Sequence, residues 1–138
     1  MIENIKLKMT LPRIPDIELV AIEGMDRMAK FLGIPDDKIG EAHVLVNEAV
    51  INAFEHSGEK NPRVRLEFTM TPKKLIIFVR DYGQGFATDA VEEPDIEKKL
   101  GSTHKRGWGL KLMKTMSDDF QIESSEKGTK ITITKNLE

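Results

Sequence analysis

The chain predicts an α+β two-layer sandwich of about five strands and three helices, with the helices on one face of the sheet. Three observations carry this fold class. Apolar and polar residues alternate with period 2 in several short segments, which is the signature of strands buried on one face. Two longer segments place apolar residues at the 3.6 spacing of amphipathic helices. Runs of strand follow runs of helix, which argues against a regular βαβ repeat.

In chain order, Ile5, Leu7, Met9 and Leu11 alternate with Lys6, Lys8 and Thr10 and predict a strand that Pro12 and Pro15 end. Asp16 is placed to cap a helix whose apolar stripe runs Ile17, Val20, Ala21, Met28, Phe31 and Leu32, with Gly33 as its stop. Pro35-Asp36-Asp37 opens a longer helix, with Ile39, Ala42, Leu45, Val46, Ala49, Val50 and Ala53 on its apolar side and Gly58 at its end. Val64, Leu66, Phe68 and Met70 alternate as a second strand, and the apolar run Leu75-Ile76-Ile77-Phe78-Val79 is read as a central third. From Gly83 to Gly109 the chain is rich in glycine and charge and lacks a period, so it is read as a long functional loop, with a short helical piece from Asp95 to Leu100. Leu110 to Met116 is helical in pattern. Phe120, Ile122 and Ser124, then Ile131 and Ile133, form two strands around a turn at Glu126-Lys127-Gly128.

Composition narrows the function classes. The 138 residues carry 21 Lys+Arg against 23 Asp+Glu, a formal charge of −2, which offers no global field toward nucleic acid or an anionic membrane. There is no cysteine, which excludes thiol catalysis and Cys-ligated metal. No apolar run is long enough to span a bilayer and no internal repeat or linker divides the chain, so one domain over 1–138 and a cytoplasmic location are expected.

Three polar constellations stand out. On the second helix Glu48, Asn52 and Glu55/His56 share one side, where a neutral amide oxygen suits Mg²⁺ and a carboxylate suits proton abstraction. Taken alone, that stripe is an ordinary solvated helix face. Asp81-Tyr82-Gly83-Gln84-Gly85-Phe86 follows the central strand and offers an acceptor for an exocyclic amine beside two glycines that permit close backbone approach. Arg106-Gly107-Trp108-Gly109-Leu110 precedes a helix whose first-turn amides attract anions, with Lys105 and Arg106 adding charge. The chain lacks the P-loop pattern and the H-E-x-x-H pattern, and His43, His56 and His104 form no ligand spacing.

In this order, Asn47-Glu48-Ala49-Val50-Ile51-Asn52-Ala53, Asp81-x-Gly83-x-Gly85-Phe86, Gly107-x-Gly109-Leu110 and Gly128-Thr129 resemble the boxes of the GHKL ATPases. The match covers roughly residues 40 to 135 and, with the short N-terminal strand and helix, looks most like the stand-alone anti-sigma-factor serine kinases of bacterial partner switching. The resemblance implies a Bergerat fold with a mixed, mostly antiparallel sheet, an ATP site between sheet and helices, and an ATP lid around 86–106. It implies Glu48 as general base, Asn52 as the Mg²⁺ ligand, and Asp81 as reader of the adenine amine, with Thr129 assisting through a water. Gly83 and Gly85 would pass close to the base, Gly107, Trp108, Gly109 and Leu110 would donate to phosphates, and Lys105 or Arg106 would lie near the terminal phosphate. His56, one turn past Asn52, is expected near phosphate. Histidine kinases share the boxes, but too little chain precedes the first one for their phosphoacceptor domain.

The function so implied is an ATP-dependent protein serine kinase that also acts as an anti-sigma factor. Its partners would be a STAS-domain antagonist, which it phosphorylates, a sigma factor, which it sequesters, and a second copy in a homodimer. The alternative is a module that binds ATP and sequesters a partner without phosphotransfer; the presence of both Glu48 and Asn52 argues against it.

Overall fold

Alternation of apolar and polar residues builds the sheet, and the helices cover the face on which the apolar set lies. The computed structural model describes residues 4–57, 63–83 and 106–138, the side chains of 106–108 excepted. The strands are β1 (Ile5–Leu11), β2 (Val64–Met70), β3 (Lys74–Asp81), β4 (Asp119–Ser125) and β5 (Gly128–Asn136), in the spatial order β1-β2-β3-β5-β4. The apolar run of β3 is central, as expected. Every pairing is antiparallel, with Leu7 opposite Phe68, Leu66 opposite Val79 and Asp81 opposite Thr129. The sheet among the described residues is therefore wholly antiparallel, without the parallel pair that a mixed sheet implies.

The helices are α1 (Ile17–Phe31), α2 (Gly40–His56) and α3 (Arg106–Met116). α2 packs on β2, β3 and β5, α1 on β1 and β2, and α3 beside α2. Ile39, Ala42, Leu45, Val46, Ala49, Val50 and Ala53 are all buried, as the 3.6 spacing predicts, against Leu66, Phe68, Leu75, Ile77, Val79, Ile131 and Ile133 of the sheet. Full burial of each larger aliphatic side chain contributes about 1.5–3 kcal/mol. On the other face of β3, Ile76 and Phe78 are only partly covered, because no described helix lies there.

Four local expectations are corrected. The buried face of α1 is Ile17, Ala21, Met25, Met28 and Ala29, whereas Val20 and Phe31 are 53% and 65% exposed; they lie on the flank of a face set by contact with β1 and β2. Asp16 stands at the N-cap position with φ 64°, and its side chain makes no capping bond. A capping side chain needs extended backbone, so this left-handed residue turns the chain instead. Pro35-Asp36-Asp37 leads into a 3₁₀ turn (Asp36–Lys38), and α2 proper starts at Gly40. Finally, α3 begins at Arg106 rather than Leu110, so the Gly-x-Gly pair lies inside its first turn. Gly58 and the Asp95–Leu100 segment lie outside the described residues.

Candidate functional site

The chemistry-bearing residues converge where the last two turns of α2 meet the end of β3 and the first turn of α3. Of the polar stripe on α2, Glu55 is exposed and Glu48 and His56 are half-buried, but Asn52 is only 4% exposed. Neither its amide nitrogen nor its oxygen has a hydrogen-bond partner among the described residues. A buried amide left unpaired costs about 1–3 kcal/mol, and such groups in folded proteins are normally satisfied. Asn52 therefore has the chemistry of a group held for a polar ligand. The described residues contain no cluster of three or more His, Asp or Glu able to hold a metal by themselves. Mg²⁺ fits this donor set, because it is commonly held by one or two protein oxygens together with substrate phosphates and water.

β3 ends at Asp81, which is 2% exposed. Its Oδ1 accepts the Gly83 backbone N–H at 3.0 Å. Burial pushes the Asp81 pKa up, against the opposing pull of backbone hydrogen bonds from Gly83 and Thr129 and the charge of Arg80. Thr129, directly across the β3–β5 ladder, is buried, and its Oγ1 lies 2.9 Å from the Ser124 hydroxyl. Gly128 has φ 125°, and a Cβ there would come within 2.1 Å of the Asp81 carbonyl oxygen. Gly83 has an independent reason to be glycine: a Cβ would lie 1.7 Å from the His56 carbonyl oxygen, so the turn after β3 is seated against the end of α2. The Asp-x-Gly motif and the C-terminal end of α2 are thus in backbone contact. The backbone of His56 meets the Asp81 turn, a contact that the expectation of phosphate proximity did not include.

A raised carboxyl pKa has a definite stability signature. The folded state binds the Asp81 proton more tightly than the unfolded state, so this group favours folding below its unfolded pKa and loses that contribution as pH rises through the folded value. Asp81→Asn is therefore expected to raise the melting temperature at pH 7. The stability gain should shrink toward zero as pH falls below the ordinary carboxylate range. Thermal melts across pH check this; a gain independent of pH, or a loss at neutral pH, contradicts it.

Glu48 faces α3. A Cβ on Gly109 would stand 3.1 Å from Glu48 Oε2, so the absence of a side chain there lets the carboxylate lie close against the helix. With α3 beginning at Arg106, the backbone amides of 106–108 are first-turn donors without intrahelical acceptors. Those of Gly109 and Leu110 fall at the start of the helical ladder, and Leu110 instead contributes a buried side chain. Gly85, Lys105 and all but the last residue of the segment 86–106, where a lid is expected, lie outside the described residues, as do the side chains of Arg106 and Trp108. Sequence reasoning passed over Arg13 and Ser57, which meet at the end of α2. Their contact spans 44 positions, and nothing in the local pattern announces it.

Known proteins share this domain and fold. Residues 18–135 match the model of the histidine kinase-like ATPase domain. The chain is 27% identical over 136 residues to a protein named serine-protein kinase RsbW from Halalkalibacterium halodurans, covering 96% of this chain and 83% of that one. It is 29% identical over 101 residues to a protein named anti-sigma F factor from Clostridium kluyveri, covering 72% of this chain and 71% of the relative. Among solved structures, the crystal structure of the RsbU and RsbW domains of Rv1364c from Mycobacterium tuberculosis superposes with a TM-score of 0.68 at 18% identity. That match covers 96% of this chain and 32% of the crystallised one, and it speaks to the fold alone.

Proposed function

Because this chain belongs to the histidine kinase-like ATPase domain family, we propose that it is an ATP-dependent protein serine kinase and anti-sigma factor, which phosphorylates a STAS-domain antagonist and sequesters a sigma factor. The observation that carries the reading is the buried amide of Asn52, without a hydrogen-bond partner among the described residues, one turn from Glu48 on the helix whose end seats Gly83. The names borne by its relatives support the same activity.

In this reading residues 1–138 form one ATPase domain with a lid around 86–106. Asp81 accepts a hydrogen bond from the adenine amine, Thr129 assists through a water, and Gly83 and Gly85 let the backbone approach the base. The first-turn amides of α3, within Arg106, Gly107 and Trp108, donate to phosphate oxygens, and Lys105 and Arg106 offset charge at the terminal phosphate. Asn52 offers its side-chain oxygen to Mg²⁺, which when bound neutralises phosphate charge. Glu48 takes the proton of the incoming serine hydroxyl as the serine oxygen attacks the terminal phosphorus, the bond from that phosphorus to the bridging oxygen breaks and ADP leaves. The protein acts in the cytoplasm, as a homodimer. No helix among the described residues is long and apolar enough to cross a membrane.

Calorimetry with ATP and ADP, with and without Mg²⁺, tests the reading. Mg²⁺-dependent ATP binding is the expected result. Absence of binding by either nucleotide under both conditions contradicts it.

A further inference from the structure

We propose that Arg13 is a positioning residue of the nucleotide site: from the linker between β1 and α1 it clamps the end of α2 and so holds the Asp81–Gly83 turn in register for adenine. This rests on the nucleotide reading above. Arg13 lies between Pro12 and Pro15, whose rings stiffen the short connection. Its Nη2 donates to the Phe54 carbonyl oxygen at 2.8 Å and also to the Ser57 hydroxyl. Its guanidinium lies over the Phe54 ring, 5.8 Å from the centroid. The Ser57 hydroxyl in turn donates to the Phe54 carbonyl at 3.1 Å, and Ser57 is buried.

The position gives this cluster its consequence. The last carbonyls of a helix lack intrahelical donors and carry the negative end of the helix dipole, so a cation there both pairs the backbone and lowers the electrostatic energy. Phe54 O is one such carbonyl of α2. His56 O, half a turn on, is the atom against which Gly83 is seated, and the Gly83 N–H is bound by Asp81 Oδ1. A continuous series of contacts thus runs from Arg13 through residues 54–57 and Gly83 to the carboxylate proposed to read adenine. Arg13 itself touches neither Asp81 nor Asn52 in any described hydrogen bond. It acts through the backbone that frames them. A planar guanidinium reaches two acceptors and stacks on a ring at once, which a lysine ammonium does not reproduce.

The test compares Arg13→Ala and Arg13→Lys with His43→Ala, which removes a contact of α2 with Asp26 of α1 at 2.6 Å, far from the clamp. ATP, ADP and GTP affinities are measured on folded protein well below each melting point, and amide hydrogen exchange is followed at 54–57 and Gly83. Arg13→Ala is expected to weaken ATP and ADP alike, by about tenfold. It should also narrow the preference for ATP over GTP and speed exchange at those amides, with Arg13→Lys restoring part of each effect and His43→Ala showing none. Unchanged adenine affinity in Arg13→Ala overturns the proposal, as does an equal loss in His43→Ala, which marks general destabilisation. If wild type binds no nucleotide, it is the kinase reading that fails. Exchange then still decides the clamp, since unaltered protection at 54–57 and Gly83 in Arg13→Ala overturns it independently.

Discussion

Glu48→Ala is expected to abolish phosphotransfer to a protein substrate while leaving ATP affinity little changed. Removal of a general base typically costs about 10²–10⁴-fold in rate. The carboxylate is half-buried on α2 and lies against the glycine of α3, where a Cβ would stand 3.1 Å away. That position is close to the first-turn amides proposed to hold phosphate, yet it is not part of the Asp81 turn proposed to hold the base. Losing the carboxylate should therefore remove proton acceptance and spare most of the binding energy. Phosphate incorporation into a STAS-domain substrate, measured beside calorimetric ATP binding, separates the outcomes. Undiminished transfer removes Glu48 from the mechanism. If wild type binds ATP and sequesters its partner yet transfers no phosphate to any serine-containing antagonist, the protein is an ATP-dependent sequestering module.

Asn52→Leu should separate stability from function in opposite directions. The amide is buried with neither polar atom paired among the described residues, so folding removes it from water without a compensating bond. Leucine has the same branched skeleton of four side-chain heavy atoms and carries no polar atom. The substitution is expected to stabilise the unliganded protein by about 1–3 kcal/mol, a rise of several degrees in melting temperature for a chain of this size. The same variant should lose the further rise that Mg²⁺ and ATP give to wild type, because a ligand stabilises only the state that binds it. Differential scanning calorimetry with and without Mg²⁺-ATP reads both effects. A lower melting point in the unliganded variant shows that the amide is satisfied within the fold; an unchanged ligand shift removes Asn52 from the site.

The elements were legible where periodicity and partner geometry agree. The apolar positions of α2 and of β2, β3 and β5 follow from spacing alone, since a residue's place on a helix or strand is a local geometric fact. The buried face of α1 was less legible. Its apolar residues cover more than one side, and only contact with β1 and β2 decides that Met25 turns inward while Val20 and Phe31 remain exposed. The start of α3 at Arg106 was missed because glycines read as loop, although a helix tolerates them in its first turn. The candidate site divides in the same way. Glu48, Asn52, Asp81, Gly83 and Thr129 were visible as residue types at suggestive positions.

Local pattern was enough to determine the strands, the two longer helices and the side of α2 that bears the polar groups, because those depend on dihedral periodicity over a few residues. Burial of the Asn52 amide, seating of Gly83 against His56 and the reach of Arg13 to Phe54 were decided only by the tertiary structure. Each joins atoms far apart in the chain, and close packing of separate elements sets such distances, which no local period encodes.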